Sequence, residues 1–337
     1  MYLIYTQRLL MAIITRNPSN PILTAKDIPF ECMRCFNPAA FRFNNKYCLL
    51  IRVMDFQKNE SFAFADSEDG INFKVKKDFQ MLPSETDEGR MNDPRVTKID
   101  DTYYIFYCSD PKSGIKIGIK KTKDFETFED IYYSLPDNRN AVLFPEKING
   151  YYVRLQRPFS RWYYLDRGYD IWISSSPDME FWGRHKKVLS YTDVAWGNNK
   201  IGPGPQPIKT DKGWLVIYHG VEGPDGTDTA WKKTYRAGIM LLDLEDPSKV
   251  LACPDAPLLS PEEDYETDPT YRPNVIFPTG VIEKEDGGIN LYYGAADNSI
   301  ALAETTKDAL LDFCLNPPKY VHPRSHSEHR PYLSFHA

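Results

Sequence analysis

Short runs rich in Tyr, Val, Ile and Phe recur along the 337 residues, and clusters of Gly, Pro, Asn and Asp separate them. Apolar residues at helical spacing are scarce. Short β-branched and aromatic runs bounded by turn residues are typical of strands joined by tight turns. The pattern therefore predicts an all-β chain.

Five segments repeat one form: a proline, a few residues, a polar turn, and a strand that ends in aromatic residues. They are NPAAFRFNNKYCLLIRV from Asn37, DPRVTKIDDTYYIFYCS from Asp93, FPEKINGYYVRLQRP from Phe144, GPQPIKTDKGWLVIYHG from Gly204 and FPTGVIEKEDGGINLYYG from Phe277. Their prolines lie about 50 to 70 residues apart, close to the length of a four-stranded propeller blade. We predict a five-bladed β-propeller. A solenoid and a two-sheet sandwich are the alternatives.

The innermost strands of a propeller converge on a central channel, so residues at the starts of those strands meet there. We expect the five proline motifs to open these strands. The polar neighbours of the prolines should then share one pocket, and they are Asn37, Asp93, Glu146, Lys147 and His219.

Composition narrows the range of ligands. Hydrophobic residues are 42% and charged residues 26%, which fits a globular protein with a sizeable core. The net charge of −6 argues against nucleic acid as a partner. The apolar opening segment is interrupted at Arg8 and is too short to span a bilayer, so we expect no membrane association and a cytoplasmic location.

No motif for a metal or an organic cofactor stands out. Cys32 and Cys35 form the one close cysteine pair, and a lone C-x-x-C without nearby His is weak support for zinc. The chain contains no phosphate-binding P-loop, no nucleophile elbow, no H-E-x-x-H and no dinucleotide fingerprint. We expect no metal and no cofactor.

The candidate pocket residues are one clear carboxylate among many cations. Asp93 lies between Arg90 and Arg95, whose charges favour its ionised form. The other candidates are mostly cations and neutral donors, namely Arg139, Asn140, Lys147, Arg157, Lys200, His219, Tyr235 and Arg236. Such a pocket suggests a bound oxyanion. An attacking phosphate would need no base, and one acid would suffice to protonate the leaving sugar oxygen.

Two other carboxylates keep alternatives open. Glu146 could serve as a base, and Asp297 is either an acceptor for sugar hydroxyls or a turn residue.

Long stretches of the chain resemble glycoside hydrolase family 130, the β-mannoside phosphorylases and their hydrolytic relatives. The matching stretches include FNPA (36–39), NDPRVTKIDDTYYIFY (92–107), AVLFPEKINGYYV (141–153), IGPGPQPIKTDKGWLVIYHGV (201–221) and YRAGIMLLDLEDPSKV (235–250). They occur in the family's order over nearly the whole chain. The resemblance implies a five-bladed propeller and inverting phosphorolysis of a β-mannoside to α-mannose 1-phosphate.

The resemblance also implies roles for individual residues. Asp93 matches the general acid, which is thought to act through a hydroxyl of the mannosyl ring. Phosphate-binding positions of the family fall on Arg139, Arg157, His219 and Tyr235. Mannose-binding positions fall on Asn37, Arg52, Asn140, Lys200 and Asp297. The implied partners are an oligosaccharide and inorganic phosphate.

Three positions beside the site depart from the family pattern: Asn92, Gln156 and Thr279 replace a frequent Glu, His and Cys. Hydrolytic members tend to replace the basic phosphate-binding residues with acidic ones, and this chain keeps them, which favours a phosphorylase. The alternatives are an inverting exo-β-mannosidase with Glu146 or another carboxylate as base, a non-catalytic carbohydrate-binding propeller, and a glycosidase acting on arabinose or xylose.

The linkage (β-1,2 or β-1,4) and the acceptor sugar (mannose, glucose or N-acetylglucosamine) stay open. We expect segments 156–169 and 222–234 to recognise the acceptor, because both are long, aromatic and close to the pocket motifs. The catalytic propeller is predicted over 16–316, with an N-terminal extension (1–15) and a C-terminal tail (317–337). Both extensions could mediate homo-oligomer contacts, and translation could start at Met1 or Met11.

Overall fold

The structure is a computed structural model, and it describes residues 13–87, 90–159, 169–223 and 232–320. The described residues are mostly strands. The strands are β1 (Thr15–Arg16), β2 (Arg34–Phe43), β3 (Lys46–Met54), β4 (Glu60–Ser67), β5 (Lys74–Met81), β6 (Met91–Ile99), β7 (Thr102–Ser109), β8 (Lys116–Thr122), β9 (Glu129–Tyr133), β10 (Asn138–Leu143), β11 (Tyr152–Pro158), β12 (Ile171–Ser176), β13 (Gly183–Leu189), β14 (Lys200–Pro203), β15 (Ile208–Lys209), β16 (Trp214–Glu222), β17 (Thr234–Leu242), β18 (Val250–Ala252), β19 (Ile276–Glu283), β20 (Gly288–Ala295) and β21 (Ser299–Thr306). The α-helices are α1 (Asp264–Thr267) and α2 (Lys307–Leu315), and short 3-10 helices cover Ala25–Asp27, Glu85–Asp87 and Tyr191–Asp193.

Within the described residues these strands form five antiparallel sheets, which confirms the five-bladed propeller. Blade 1 is β2–β5, blade 2 is β6–β9 and blade 3 is β10–β13. Blade 4 contains β14 and β15 paired with β16, followed by β17 and β18, and blade 5 contains β19, β20, β21 and β1. The first-named strand of each blade (β2, β6, β10, β14 and β19) contributes residues to the central cavity and lies nearest the axis of the ring.

The polar turns predicted from sequence join the first two long strands of each blade. Asn44, Asp100 and Asn149 adopt left-handed backbone conformations in these turns, with φ of 49°, 55° and 51°. Asn and Asp tolerate this conformation better than most residues with a Cβ. The turn residues of these three hairpins therefore suit the backbone that the turns require.

Two ends of the chain meet in blade 5. Strand β1 pairs antiparallel with β21, with Thr15 opposite Glu304 and Arg16 opposite Ala303. The N-terminal strand thus completes a sheet whose other strands come from the far end of the sequence. This pairing closes the ring.

Each blade packs on the next through an apolar cluster. Blades 1 and 2 share Phe41, Phe64 and Tyr103, and blades 3 and 4 share a cluster around Trp196 and Trp214. Similar clusters join blade 2 to blade 3, blade 4 to blade 5, and blade 5 back to blade 1. Because the apolar side chains lie between the blades, the axis is left to polar side chains.

The proposed limits of the catalytic domain stay a prediction. Most of the N-terminal extension (residues 1–12) and of the C-terminal tail (321–337) lies outside the described residues. No helix among the described residues is long and apolar enough to cross a membrane.

The closing strand provides a test of ring stability. Arg16 Nε and Nη2 donate to Glu266 Oε1 and Oε2 at 2.8 and 2.9 Å, and Glu266 is fully buried. Arg16→Ala leaves this buried carboxylate with fewer donors, so the free energy of unfolding should fall by about 3 kcal/mol in urea denaturation. Lys123→Ala, which breaks an exposed ion pair with Asp101, is the control and should have a much smaller effect. Equal effects of the two variants would contradict a closing role for Arg16.

Candidate active site

A cavity of about 660 Å³ lies where the five blades meet. Nine of the ten residues predicted for the site line it: Asn37, Arg52, Asp93, Arg139, Asn140, Arg157, Lys200, Tyr235 and Asp297. The tenth, His219, is fully buried directly behind the wall, where it contacts Arg157 and Asn140. The structure therefore brings the predicted residues together, while their individual roles stay predictions.

Three of these residues share one backbone feature, a left-handed conformation at a β-bulge. Asn37, Asp93 and Asn140 each lie at a β-bulge in the innermost strand of blade 1, 2 or 3, with φ of 47°, 52° and 56°. A bulge places an extra residue on one strand and redirects its side chain. Asn and Asp suit this position because they accept the left-handed conformation. The bulges thus explain why these three side chains line the axial cavity.

Asp93 is the most highly connected carboxylate of the cavity. Its Oδ1 accepts hydrogen bonds from Asn37 Nδ2 and Arg52 Nη1, both at 2.8 Å, and its Oδ2 accepts one from Arg139 Nη2 at 3.1 Å. The donors come from β2, β3 and β10, so blades 1 and 3 hold a carboxylate of blade 2. Asp93 is 2% exposed.

The charge on Asp93 follows from these contacts. Burial by itself would raise the pKa of the carboxyl, but Arg52, Arg139 and Arg95 together hold that pKa well below its usual range. In the ligand-free protein Asp93 is therefore an ionised acceptor. It can act as an acid only after ligands have changed the charge around it.

Arg95 favours the ionised form of Asp93 through its charge, as predicted, and it also has a structural role. Arg95 donates to backbone carbonyls, including Asp93 O at 2.6 Å and Gly204 O at 3.2 Å. It ties blade 2 to blade 4. The guanidiniums that contact the carboxylate, Arg52 and Arg139, come from neighbouring blades.

A pair of arginines forms the cationic side of the cavity. Arg139 Nε donates to Asn140 Oδ1 at 3.1 Å, and Arg157 Nη1 donates to His219 Nε2 at 3.2 Å. Burial, and after it the charge of Arg139, lowers the pKa of Arg157 to about 9. This cationic side is electrostatically unfavourable in the absence of an anion.

His219 is a neutral part of this cluster. Burial and then Arg157 hold its pKa well below the usual value. Since a guanidinium can only donate, Nε2 must accept, and the ring proton resides on Nδ1. The ring packs on Phe277, with centroids 4.4 Å apart. His219 therefore orients the Arg157 guanidinium.

The remaining predicted residues lie around the rest of the wall. Burial raises the pKa of Tyr235, and the Lys200 ammonium lies 5.5 Å from the centroid of its ring. Burial, followed by Arg157 and Lys233, holds the pKa of Lys200 well below its usual range. Asp297 accepts from Arg272 Nη1 at 3.1 Å, and burial raises its pKa.

Sequence reasoning missed several lining residues. Glu60 and Arg272 pair with the predicted residues Arg52 and Asp297, and Arg34 lies 4.0 Å from the ring centroid of Tyr271. No repeat marked these positions. The hairpin register of β3 and β4, which sets Met54 opposite Glu60, is the one signal that could have located Glu60 near Arg52.

Three predicted pocket members were wrong. Arg236 does not line the cavity, and its Nη1 instead donates to Glu222 Oε2 at 2.7 Å. Glu146 and Lys147 do not line the cavity, and Glu146 Oε1 instead pairs with Lys209 Nζ at 2.6 Å, with both side chains about half exposed. The reason is the register of blade 3. Pro145 follows β10 instead of opening it, and the counterpart of Asn37 and Asp93 is Asn140.

The proline motif is also less uniform than predicted. Pro38, Pro94 and Pro278 lie within the innermost strands of their blades, whereas Pro145 and Pro205 follow theirs. In addition, the cavity contains four carboxylates, not one. They are Glu60, Asp93, Asp110 and Asp297.

The segments predicted to recognise the acceptor lie largely outside the described residues, which omit 160–168 and 224–231. Lys233, which belongs to the second predicted segment (222–234), does line the cavity. In the described ranges no three His, Cys, Asp or Glu side chains are grouped so as to hold a metal ion.

The fold and the cavity define a five-bladed β-propeller with one cation-rich polar site at its axis. The sequence model of glycoside hydrolase family 130, described as β-1,4-mannooligosaccharide phosphorylase, matches residues 14–316. The chain belongs to this family.

Similarity to individual proteins supports this family assignment. The chain is 36% identical over 318 residues to β-1,4-mannooligosaccharide phosphorylase of Ruminococcus albus, covering 89% of this chain and 90% of that protein. It is 35% identical to 1,2-β-oligomannan phosphorylase of a Thermoanaerobacter species, covering 86% and 96%. Among solved structures, β-1,2-mannobiose phosphorylase from Listeria innocua in complex with β-1,2-mannobiose superposes with a TM-score of 0.79 at 29% identity, covering 90% and 99%.

The close approach of blade 5 to Asn37 provides a test of how the site is built. A Cβ on Gly294 would lie 1.9 Å from Asn37 Oδ1 and 2.9 Å from its backbone nitrogen. Gly294→Ala must displace Asn37, so we expect a loss of about 1 to 3 kcal/mol in the free energy of unfolding. Gly183→Ala, whose Cβ would meet nothing within 4 Å, is the matched control. Urea denaturation measures the effect. If both variants have the wild-type midpoint of unfolding, the contact does not constrain Asn37.

Proposed function

We propose that this protein phosphorolyses β-mannosides with inversion, giving α-mannose 1-phosphate and a shortened acceptor. The observation that carries the proposal is a buried carboxylate, Asp93, in a cavity with nine basic and four acidic lining side chains. The phosphorylase names of the relatives point the same way. The proposal places inorganic phosphate as the only co-substrate, with no cofactor.

The phosphate would bind on the cationic side of the cavity. Arg139 and Arg157 offer charge-assisted hydrogen bonds to an oxyanion, and Tyr235 offers a hydroxyl. His219 contributes indirectly, since it accepts from Arg157 and fixes that guanidinium. A bound anion would also favour the charged form of Lys200, which the ligand-free cavity disfavours.

The mannosyl ring would then occupy the side of the cavity that contains Asn37, Arg52, Asn140 and Asp297. Asp297 keeps one carboxylate oxygen beyond its contact with Arg272 to accept from a sugar hydroxyl. Asn37 and Arg52 already donate to Asp93, so a ring bound there would lie beside the acid.

In the proposed reaction a phosphate oxygen attacks the anomeric carbon from the face opposite the leaving group. The bond to the glycosidic oxygen breaks, and this oxygen gains a proton from a mannosyl hydroxyl that Asp93 reprotonates. Asp93 must therefore carry a proton in the ternary complex. The negative charge of phosphate beside Arg139 offsets that guanidinium and so favours protonation of Asp93.

Direct hydrolysis is less well supported. It needs a carboxylate free to activate water. Three of the four cavity carboxylates, Glu60, Asp93 and Asp297, are each paired with an arginine. Glu146 lies outside the cavity, which leaves Asp110 as the remaining candidate base. The basic residues expected to bind phosphate, which an attacking water would not need, are all present in or directly behind the cavity wall.

The setting of the enzyme is part of the proposal. None of the six cysteines forms a disulfide, which fits the cytoplasm. A homo-oligomer stays a prediction.

The decisive experiment incubates the protein with β-1,2- and β-1,4-mannobiosides, with and without phosphate, and assays mannose 1-phosphate. Phosphate-dependent product is expected, and the productive disaccharide identifies the linkage. Asp93→Asn should lower turnover by about two to four orders of magnitude with an unchanged circular dichroism spectrum. Asp101→Asn, in an exposed turn, is the control and should keep wild-type activity. Mannose released equally without phosphate would overturn the proposal in favour of the hydrolase.

Arg157 tests the phosphate site separately. Arg157→Ala removes a charge-assisted contact, so the KM for phosphate should rise about 10- to 100-fold while the KM for the mannoside changes little. Arg184→Ala, an exposed arginine on Tyr151 outside the cavity, should leave both constants unchanged. An unchanged KM for phosphate in Arg157→Ala would refute phosphate binding by this residue.

A further inference from the structure

A line of four alternating charges crosses the cavity wall. Glu60 Oε1 accepts from Arg52 Nη2 at 2.6 Å, Arg52 Nη1 donates to Asp93 Oδ1 at 2.8 Å, and Arg139 Nη2 donates to Asp93 Oδ2 at 3.1 Å. One guanidinium thus bridges two carboxylates. Neither the family resemblance nor the repeats assign any role to Glu60.

The Glu60 end of this line is enclosed. Glu60 is 5% exposed, and its Oε2 has no hydrogen-bond partner among the described residues. Arg52 is held from its other side by the ring of Phe36, 4.4 Å from the guanidinium carbon to the centroid. A buried carboxylate with one arginine contact has few other ways to be satisfied. Its charge therefore acts mainly on Arg52 and, through Arg52, on Asp93.

The other groups that face Asp93 are mostly cationic. The cations are Arg52 on β3, Arg95 on β6 and Arg139 on β10, and Asp297 in the β20–β21 turn contributes a negative charge. Two further titratable groups, Cys108 on β7 and His219 on β16, interact with Asp93 and are neutral because burial disfavours their charged forms. Without Glu60, no carboxylate on the other side of Arg52 would offset the positive charge of its guanidinium. The negative charge of Glu60 partly offsets it, and so opposes the effect that keeps Asp93 ionised.

We propose that Glu60 is a positioning residue which, through Arg52, allows Asp93 to carry the proton that the reaction requires. This inference rests on the proposed function and deepens it. Glu60 does not touch the reacting atoms. It fixes the position of Arg52 and limits the positive charge that Arg52 presents to the acid.

The pH dependence of kcat separates this role from a merely structural one. The fall of kcat at high pH, the alkaline limb of its pH profile, reports the ionisation of the acid that must be protonated in the ternary complex. Removing a negative charge one guanidinium away from Asp93 disfavours its protonated form. Glu60→Gln should therefore move the alkaline limb to lower pH by about one unit, so that kcat on that limb falls about tenfold. On the acid side kcat should approach the wild-type value.

The experiment measures kcat against pH at saturating phosphate and mannobioside for wild type and three variants. Glu60→Asp keeps the charge but withdraws it by one methylene, so its alkaline limb should lie between those of wild type and Glu60→Gln. Glu129→Gln, which removes an exposed carboxylate paired with Lys121, is the matched control and should follow wild type. Thermal unfolding checks that each protein is folded.

The outcomes are distinct. A graded shift of the alkaline limb supports the inference, and it can still be read from Glu60→Asp if Glu60→Gln does not fold. A uniform loss of kcat at every pH, or an unshifted limb in both Glu60 variants, overturns the inference while leaving phosphorolysis by wild type intact. If wild type itself forms no mannose 1-phosphate, the proposed function fails instead.

Discussion

The structure depends on one electrostatic constraint: the ionised carboxylate of Asp93 is buried at the axis and needs cations from other blades. A buried charge is costly unless it is paired and hydrogen-bonded. Arg52 of blade 1 and Arg139 of blade 3 supply that pairing for a carboxylate of blade 2. The pairing forms only when the three blades have the correct tilt and spacing, which the apolar clusters between blades and the closing strand β1 maintain. The geometry of the site and the closure of the ring are therefore linked.

The same constraint explains the bulges of the innermost strands. A regular strand alternates its side chains between two faces, and those faces pack here against the neighbouring blades. A bulge interrupts this alternation and can turn a short polar side chain of the innermost strand toward the axis. Asn37, Asp93 and Asn140 achieve this with a left-handed residue at a bulge, and Gly294 provides the space in which Asn37 fits. Asn and Asp serve two purposes at these positions: they accept the backbone conformation and they supply the polar group.

Much of this was predictable from sequence, and the errors have physical reasons. Repeats and turn residues are local signals, so the five blades and the hairpins were confirmed. Asp93 and eight other predicted residues line one cavity because long motifs place them on the innermost strands and their neighbours. Glu146 was wrong because the repeat was aligned on proline, whereas the structure repeats the bulge, and in blade 3 the bulge residue is Asn140. Glu60 was missed because its significance depends on a partner, Arg52, across a hairpin. Which side chains pair depends on the register of the strands, and the amino-acid composition does not reveal that register.

The charge balance of the cavity also bears on which ligand it suits. A site for a neutral sugar gains nothing from excess cations, since each buried cation must be desolvated without a compensating charge. Here Arg157 and Lys200 both have lowered pKa values, principally because they are buried and then because they lie close to other cations. This arrangement lowers the stability of the ligand-free protein. An anion bound between them would relieve that repulsion and would also reduce the positive potential at Asp93. A non-catalytic sugar-binding propeller would require neither effect, whereas a phosphorylase, which must bind an anion and protonate a leaving group in the same cavity, would use both.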